Sequence, residues 1–560
     1  MIDKKLDGNT GLPSVEKPWL KLYSDKVISF SLSGESMYEL IQKNNIDTLS
    51  AVALRYYGTT ITYKTLFDKI EKAASAFRSL GIKKGDIVTI MSMQTPETII
   101  SLYGLNYIGA VANLVYASLS ESELVEVIIR TDSKMLLILD VVIDKAKHIE
   151  ELTMCKVVVL GVSDSFPLLL KVAKKRKKNS NKYMDFNAFL NRAKEKPALV
   201  SDAEAFAVMV YTSGTTGTPK GVMLSNKNLN AVAQQCNYGG KNYHKGETTF
   251  FYLPPFTGYG IAMLHLGLVY GIDFKIHLGL DVDIIIKKFI KSKSNRVAGG
   301  PAFANALIQY KSRDLSYLID FTGGGESVSL EKEDSINDYL LERNSGTKYT
   351  TGYGMTEFAS VVCMNTNQIY KRGSLGIPLP KVNVKIVDSY SGAELSYMEV
   401  GEMCFSAPNM MIAYYKNEQS TSDVIEVDKE GTRWLHTGDL GYVDKEGFVF
   451  FVGRKKRIYL TCDKNGAMVK IFPQRIEECI AKSDYVNLCG VVVVPDKKQI
   501  NVPFAFVTVR NNADISDLRK RVKEELPEHL VPKKIIVLES MPITSNGKID
   551  YVALSGMIEK

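Results

Sequence analysis

Three apolar, β-prone runs at 111–115, 135–139 and 156–160 recur at the spacing of strand–helix units. Strands that are apolar on both faces must be covered on both sides, so this pattern predicts an α/β fold with largely parallel sheets. ITYKTLFDKIEKAASAFRSLGIKKGDIVTIMS (61–92) reads as a helix then a strand, punctuated by Gly81 and Gly85. Thr95-Pro96 opens another helix with a capping residue and a proline in its first turn. At 560 residues the chain is too long for one core, which implies two or more domains.

A fourth apolar run, AFAVMVY (205–211), leads straight into YTSGTTGTPKG (211–221). Ligands of open α/β sheets bind at the C-terminal edge of the strands, where this loop would lie. Gly214 and Gly217 let the backbone turn its N–H groups inward. Thr212, Ser213, Thr215, Thr216 and Thr218 add hydroxyls, and Lys220 adds a positive charge. That combination suits a phosphate cradle. It is not a Walker A loop, which needs four residues between its glycines where this chain has two.

Three further stretches carry chemistry. GYGMTE (352–357) follows the β-prone TKYTT. It offers Tyr353 as a flat face for a base, Thr356 as a hydroxyl and Glu357 as a hard carboxylate suited to Mg²⁺. WLHTGDLG (434–441) holds Asp439 in a glycine-flanked turn, where a carboxylate can accept two ribose hydroxyls. GRKKR (453–457) adds Arg454, and the chain closes on PITSNGKID (542–550) with Lys548 in a glycine turn.

In this order the motifs resemble those of the adenylate-forming (ANL) superfamily, which groups acyl-CoA synthetases, peptide-synthetase adenylation domains and beetle luciferases. The resemblance runs from about residue 45 to 554. It implies a large N-terminal domain (1–453) of two packed sheets flanked by helices, with a small β-rich subdomain at about 373–452. A hinge (454–457) and a small, mobile α+β C-terminal lid (458–560) follow. The implied nucleotide site comprises Thr212, Ser213, Gly214, Thr215, Thr216, Gly217 and Lys220 of the cradle, with Gly324, Gly325 and Glu326 of GGGE (323–326). Gly352, Tyr353, Gly354, Thr356, Asp439, Arg454 and Lys548 complete it. The implied roles are adenine on Tyr353, the α-phosphate on Thr356, Mg²⁺ on Glu357 and ribose on Asp439 and Arg454. Lys456 is the implied pivot and Lys548 the implied catalytic lysine. Phe256, Thr257, Gly258 and Gly324 would line the acyl pocket.

The implied reaction is ATP- and Mg²⁺-dependent activation of a carboxylic acid, then transfer of the acyl group to CoA. A stand-alone adenylation enzyme loading an acyl carrier protein is the alternative, and a nucleotide-binding regulator without catalysis is a third reading. Two departures from the family pattern stand out. FYLPPFTGYG (251–260) has Thr257 where a histidine or aromatic is frequent, and lacks the aspartate usual in domains that bind α-amino acids. IYLTCDKNGAMVKIFP (458–473) has Tyr459 where a lysine is usual and is about six residues longer than the common form, an insertion at 459–468.

Composition, with 45% hydrophobic and 24% charged residues, fits a soluble globular chain. The opening MIDKKLDGNTG has no apolar signal region and no run reaches spanning length, so a cytoplasmic protein is expected. Seven cysteines without a C-x-x-C pair predict reduced, mostly buried thiols. Much of the net charge of +8 lies in KVAKKRKKNSNK (171–182), which has no interleaved aromatics, so nucleic acid is not expected. A solvated loop or a weak contact of Lys171–Lys182 with an anionic membrane surface remain. The first 35 residues show little periodicity and suggest a partly extended arm.

Overall fold

Residues 258–269 carry almost no polar side chains, and a helix without a polar face belongs inside a protein. In the computed structural model this segment and Pro96–Tyr107 are α-helices with nearly every residue buried. His265 in the first of them is buried between Tyr103 Oη (3.0 Å) and Asn230 Oδ1 (2.8 Å). Burial pulls its pKa down to about 3, so it serves the core as a neutral ring. The structure describes residues 10–167, 182–212, 219–279, 281–311, 314–325, 328–457, 459–463, 467–483, 485–496, 499–510, 515–544 and 549–558.

Two large sheets share one hydrophobic core. One has seven strands, in the order 184–185, 156–160, 135–139, 87–91, 111–115, 206–211 and 221–225, parallel except for the last pair. The three apolar runs at 111–115, 135–139 and 156–160 are strands over the bounds expected of them. The other sheet has nine strands, and its parallel centre runs 349–353, 320–323, 296–299, 248–251, 273–276 and 52–56. Thr95 caps the helix Pro96–Tyr107 by accepting from the Thr98 N–H, as its sequence predicts.

A third, five-stranded antiparallel sheet spans Asn383 to Arg454. The expected β-rich segment began at about 373, but Ile377–Pro378 pairs with Cys363–Met364 at the edge of the nine-stranded sheet. Beyond it, strands Val486–Asp496, Ile500–Val509 and Lys534–Val537 form a sheet with helices Pro473–Ala481 and Ser516–Glu525. The core of this small C-terminal unit begins at Tyr459, whereas the main core takes nothing beyond Phe451.

The N-terminal arm differs from expectation. It forms short helical turns at Pro13–Glu16, Pro18–Leu22 and Asp25–Ser29. Trp19 is fully buried, and the Tyr23 hydroxyl donates to the Pro378 carbonyl at 2.9 Å. One large aromatic docked into a distant core anchors a segment with no periodicity of its own. All seven cysteines are free and five are buried. Among the described residues, no helix is long and apolar enough to cross a membrane.

Candidate active site

The apolar strand Phe206–Tyr211 turns back as Gly221–Ser225, with Tyr211 opposite Gly221. The Thr212 N–H donates to the Lys220 carbonyl at 3.1 Å and closes the neck of the loop between them. Ser213–Thr218, and with them Gly214, Thr215, Thr216 and Gly217, lie outside the described residues, as do Glu326, Lys548 and 171–181 of the basic run. The Lys220 ammonium sits 4.8 Å above the ring of Tyr414. Residues 412–415 run beside the returning strand: Met223 N–H donates to Ala413 C=O (3.0 Å) and Tyr415 N–H to Gly221 C=O (2.7 Å).

Tyr414 then reaches the GYGMTE motif. Its hydroxyl donates to Glu357 Oε1 at 2.6 Å, and the Glu357 carbonyl accepts from Met411 N–H at 2.7 Å. Glu357 is only 5% exposed, in the short 3-10 turn Thr356–Phe358. Burial pushes its carboxyl above the ordinary glutamate value, opposed by the Tyr414 hydrogen bond and the charges of Lys220 and Arg454. Among the described residues no three His, Cys, Asp or Glu side chains cluster to hold an ion. A buried carboxylate that shares Tyr414 with the Lys220 ammonium fits Mg²⁺, which takes one or two carboxylates and otherwise substrate phosphates and water.

Tyr353 ends the strand Tyr349–Tyr353 and donates its hydroxyl to Asp439 Oδ2 at 2.8 Å. Burial and the Asp439 charge raise the phenol well above its usual range, so it remains a neutral donor. Gly354 must lack a side chain: a Cβ there would fall 1.8 Å from the Ser360 carbonyl oxygen. Gly352 is tight too, with a Cβ position 3.1 Å from the Cys363 oxygen. Asp439 faces Arg454 across the ladder, and Arg454 Nε lies 3.3 Å from its Oδ1.

In the segment expected to line an acyl pocket, Phe256 packs edge-on against Tyr116 with ring centroids 4.9 Å apart. Gly258 opens the helix Gly258–Val269, and a Cβ there would lie 3.2 Å from Thr356 Cα. The residue at 257 caps that helix: Thr257 Oγ1 accepts from Gly260 N–H and donates to the Pro254 carbonyl, both at 2.9 Å. Its hydroxyl is therefore committed to the backbone. A Cβ on Gly324 would touch the Tyr259 ring at 3.5 Å, whereas Gly325, at φ +94°, faces open space. Lys456 is exposed and, among the described residues, forms no hydrogen bond or ion pair.

Tyr414 and Glu402, which holds the turn of Asp439 through Gly438, escaped the sequence reading. A tyrosine and a glutamate in β-rich stretches carry no local signature of such a role.

The family model for AMP-binding enzymes matches residues 42–415, and that for the AMP-binding enzyme C-terminal domain matches 475–548. The chain therefore belongs to the AMP-binding enzyme family, the adenylate-forming superfamily that its motifs resemble. It is 26% identical over 558 residues to a long-chain-fatty-acid–CoA ligase of Bacillus subtilis, covering 95% of this chain and 97% of that one. It is 27% identical over 512 residues to 4-coumarate–CoA ligase 2 of Petroselinum crispum, covering 88% of each. Among solved structures, the anthranilate CoA ligase AuaEII in complex with anthranoyl-AMP superposes with TM-score 0.82 at 19% identity, over 95% of this chain and 98% of that one. The o-succinylbenzoate CoA synthetase of Bacillus subtilis with ATP and magnesium superposes with TM-score 0.76 at 23% identity, over 92% and 99%. These similarities establish the two-part fold, a large N-terminal and a small C-terminal domain.

Proposed function

We propose that this protein is an AMP-forming acid:CoA ligase acting on a fatty or aromatic acid. The observation that carries the reading is two short chains of contact, Lys220–Tyr414–Glu357 and Tyr353–Asp439–Arg454, which meet in one motif at residues 353–357. They bring the Lys220 ammonium, the Glu357 and Asp439 carboxylates and the Tyr353 ring together, a set that would suit a nucleotide and its metal. The CoA ligases of fatty and coumaric acids among its relatives support the choice of reaction.

In the first step a substrate carboxylate oxygen attacks the α-phosphorus of ATP, giving an acyl-adenylate and pyrophosphate. Negative charge builds on the phosphoryl oxygens, which Lys220, the hydroxyl loop and Lys548 would counter in a water-poor site. Magnesium held by Glu357 would supply Lewis-acid charge at the same phosphates. In the second step the CoA thiol attacks the acyl carbon, releasing AMP and a proton. The lid (458–560) would turn at Lys456 within 454–457, withdrawing Lys548 and admitting the thiol.

Pyrophosphate release across a panel of fatty and aromatic acids, with and without CoA, tests the reading. Activity with an acid of either class and AMP release dependent on CoA is expected. Transfer only to a holo-carrier protein would favour the alternative acceptor, which the likeness of PITSNGKID to adenylation domains suggests. No release with any acid would leave a nucleotide-binding regulator. Lys456→Pro should slow thioester formation at least about tenfold more than adenylation, since proline fixes the backbone angle a pivot must change. Equal loss in both half-reactions, measured by single turnover, would remove Lys456 from that role. The basic run 171–182 belongs to the same proposal as a weak contact with anionic lipid, checked by vesicle sedimentation at low and high salt.

A further inference from the structure

Lys456 lies between two side chains tied in opposite directions. On one side, Lys455 Nζ donates to Glu402 Oε2 at 2.9 Å, and Glu402 sits on the strand Gly401–Ser406 of the five-stranded sheet. On the other, the Arg457 guanidinium bonds Glu477 Oε1 at 2.7 Å and the Val491 carbonyl at 3.0 Å, and lies 4.0 Å over the ring of Tyr551. Those three partners all belong to the C-terminal unit. Three consecutive residues are thus anchored to the body, unanchored, and anchored to the lid.

Glu402 has a second task. Its Oε1 accepts from the Gly438 N–H at 3.0 Å. Gly438, at φ +71°, sits in the irregularity where 437–439 bulge out opposite Met403. Thr437 Oγ1 secures the bulge by donating to the Met403 carbonyl at 2.7 Å and accepting from the Asp439 N–H at 3.1 Å. The Glu402 side chain is only 8% exposed, and His436 Nδ1 lies 3.6 Å from its Oε2. Burial alone would raise this carboxyl, but His436 and Lys455 outweigh it and hold it down at about 2, so it stays ionised.

We infer that Glu402 is a positioning residue that joins the bulge presenting Asp439 to the fixed side of the hinge, so that rotation is confined to Lys456. The inference rests on reading Asp439 as the ribose ligand and Lys456 as the pivot. Confinement matters because a lid that turns about one residue swings through a defined arc. One that turns about several spends its time in unproductive orientations.

Lys455→Met cuts the hinge link and leaves the bond to Gly438 in place. It should lower kcat for thioester formation about fivefold with KM for ATP moved less than about twofold, and Lys455→Arg should restore kcat. Glu402→Gln has a single acceptor oxygen where Lys455, Gly438 and His436 now share two, so it should lose a similar factor in kcat and raise KM for ATP as well. The double variant should be no worse than Glu402→Gln alone, because the two residues act through one contact. Additive losses, no rescue by arginine, or an equal rise in KM for ATP in Lys455→Met would overturn the inference. Amide hydrogen exchange in the absence of nucleotide gives a readout that needs no ligase activity. In Glu402→Gln the amides of 437–439 and 455–457 should speed up together, and acceleration of only one segment also overturns the coupling. Asp439→Asn measured in parallel separates the failures: an unmoved KM for ATP would sink the ribose assignment, while the exchange result decides the coupling.

Discussion

Lys548→Ala should slow pyrophosphate release by about 10²–10³-fold or more, the scale of losing one fixed charge contact at a transition state. The expectation is specific to the first half-reaction. Charge grows on the α-phosphoryl oxygens and the departing pyrophosphate only while the mixed anhydride forms. In the second step the leaving group is AMP, and the proposed lid rotation has by then carried Lys548 away. The variant given synthetic acyl-adenylate should therefore make thioester at a rate within about threefold of wild type, a difference of well under 1 kcal/mol. Wild-type pyrophosphate release by the variant would remove Lys548 from the catalytic role. Equal loss in both half-reactions would show that it acts on something common to them, such as lid stability.

Glu357→Gln should lower adenylation by about 10²-fold and abolish the dependence on Mg²⁺ concentration in the range where wild type responds. The pH dependence follows from the same burial. Desolvation raises the Glu357 carboxyl above its ordinary value, so the protonated form persists to higher pH than for an exposed glutamate. Magnesium requires the ionised form, so its binding must expel that proton. The Mg²⁺ concentration needed for half-maximal adenylation should thus rise as pH falls, starting above the range of an ordinary glutamate. Tyr414 donates to the carboxylate at 2.6 Å and favours its ionised form. Tyr414→Phe should move the onset of that rise to still higher pH. An apparent Mg²⁺ affinity independent of pH across the acid range would refute the assignment of Glu357 as the metal carboxylate.

Contiguous elements were the legible part. Residues 111–115, 135–139 and 156–160 are strands as expected because both-faced burial leaves an unbroken apolar run. The Thr95-Pro96 start was readable because a cap and a first-turn proline act within four residues. The arm before residue 35 was not, since its order comes from Trp19 in a core made by residues far along the chain. Thr257 shows an intermediate case. It falls in the segment expected to line an acyl pocket, but its hydroxyl is spent on the Pro254 carbonyl and on capping the helix Gly258–Val269, which only the turn geometry reveals.

The sequence by itself determined the chemical inventory and its order: the hydroxyl loop, Tyr353, Glu357, Asp439, Arg454 and Lys548, each within a short motif. Tertiary structure decided which of these meet and what holds them. Tyr353 finds Asp439 across 86 residues, Glu357 finds Tyr414 across 57, and Glu402 finds Lys455 across 53. Such pairs are closed by strand pairing and by burial, which raise the worth of a hydrogen bond by excluding water. No local pattern encodes them, because a buried carboxylate gains its partner from the register of a sheet and not from its neighbours in the chain.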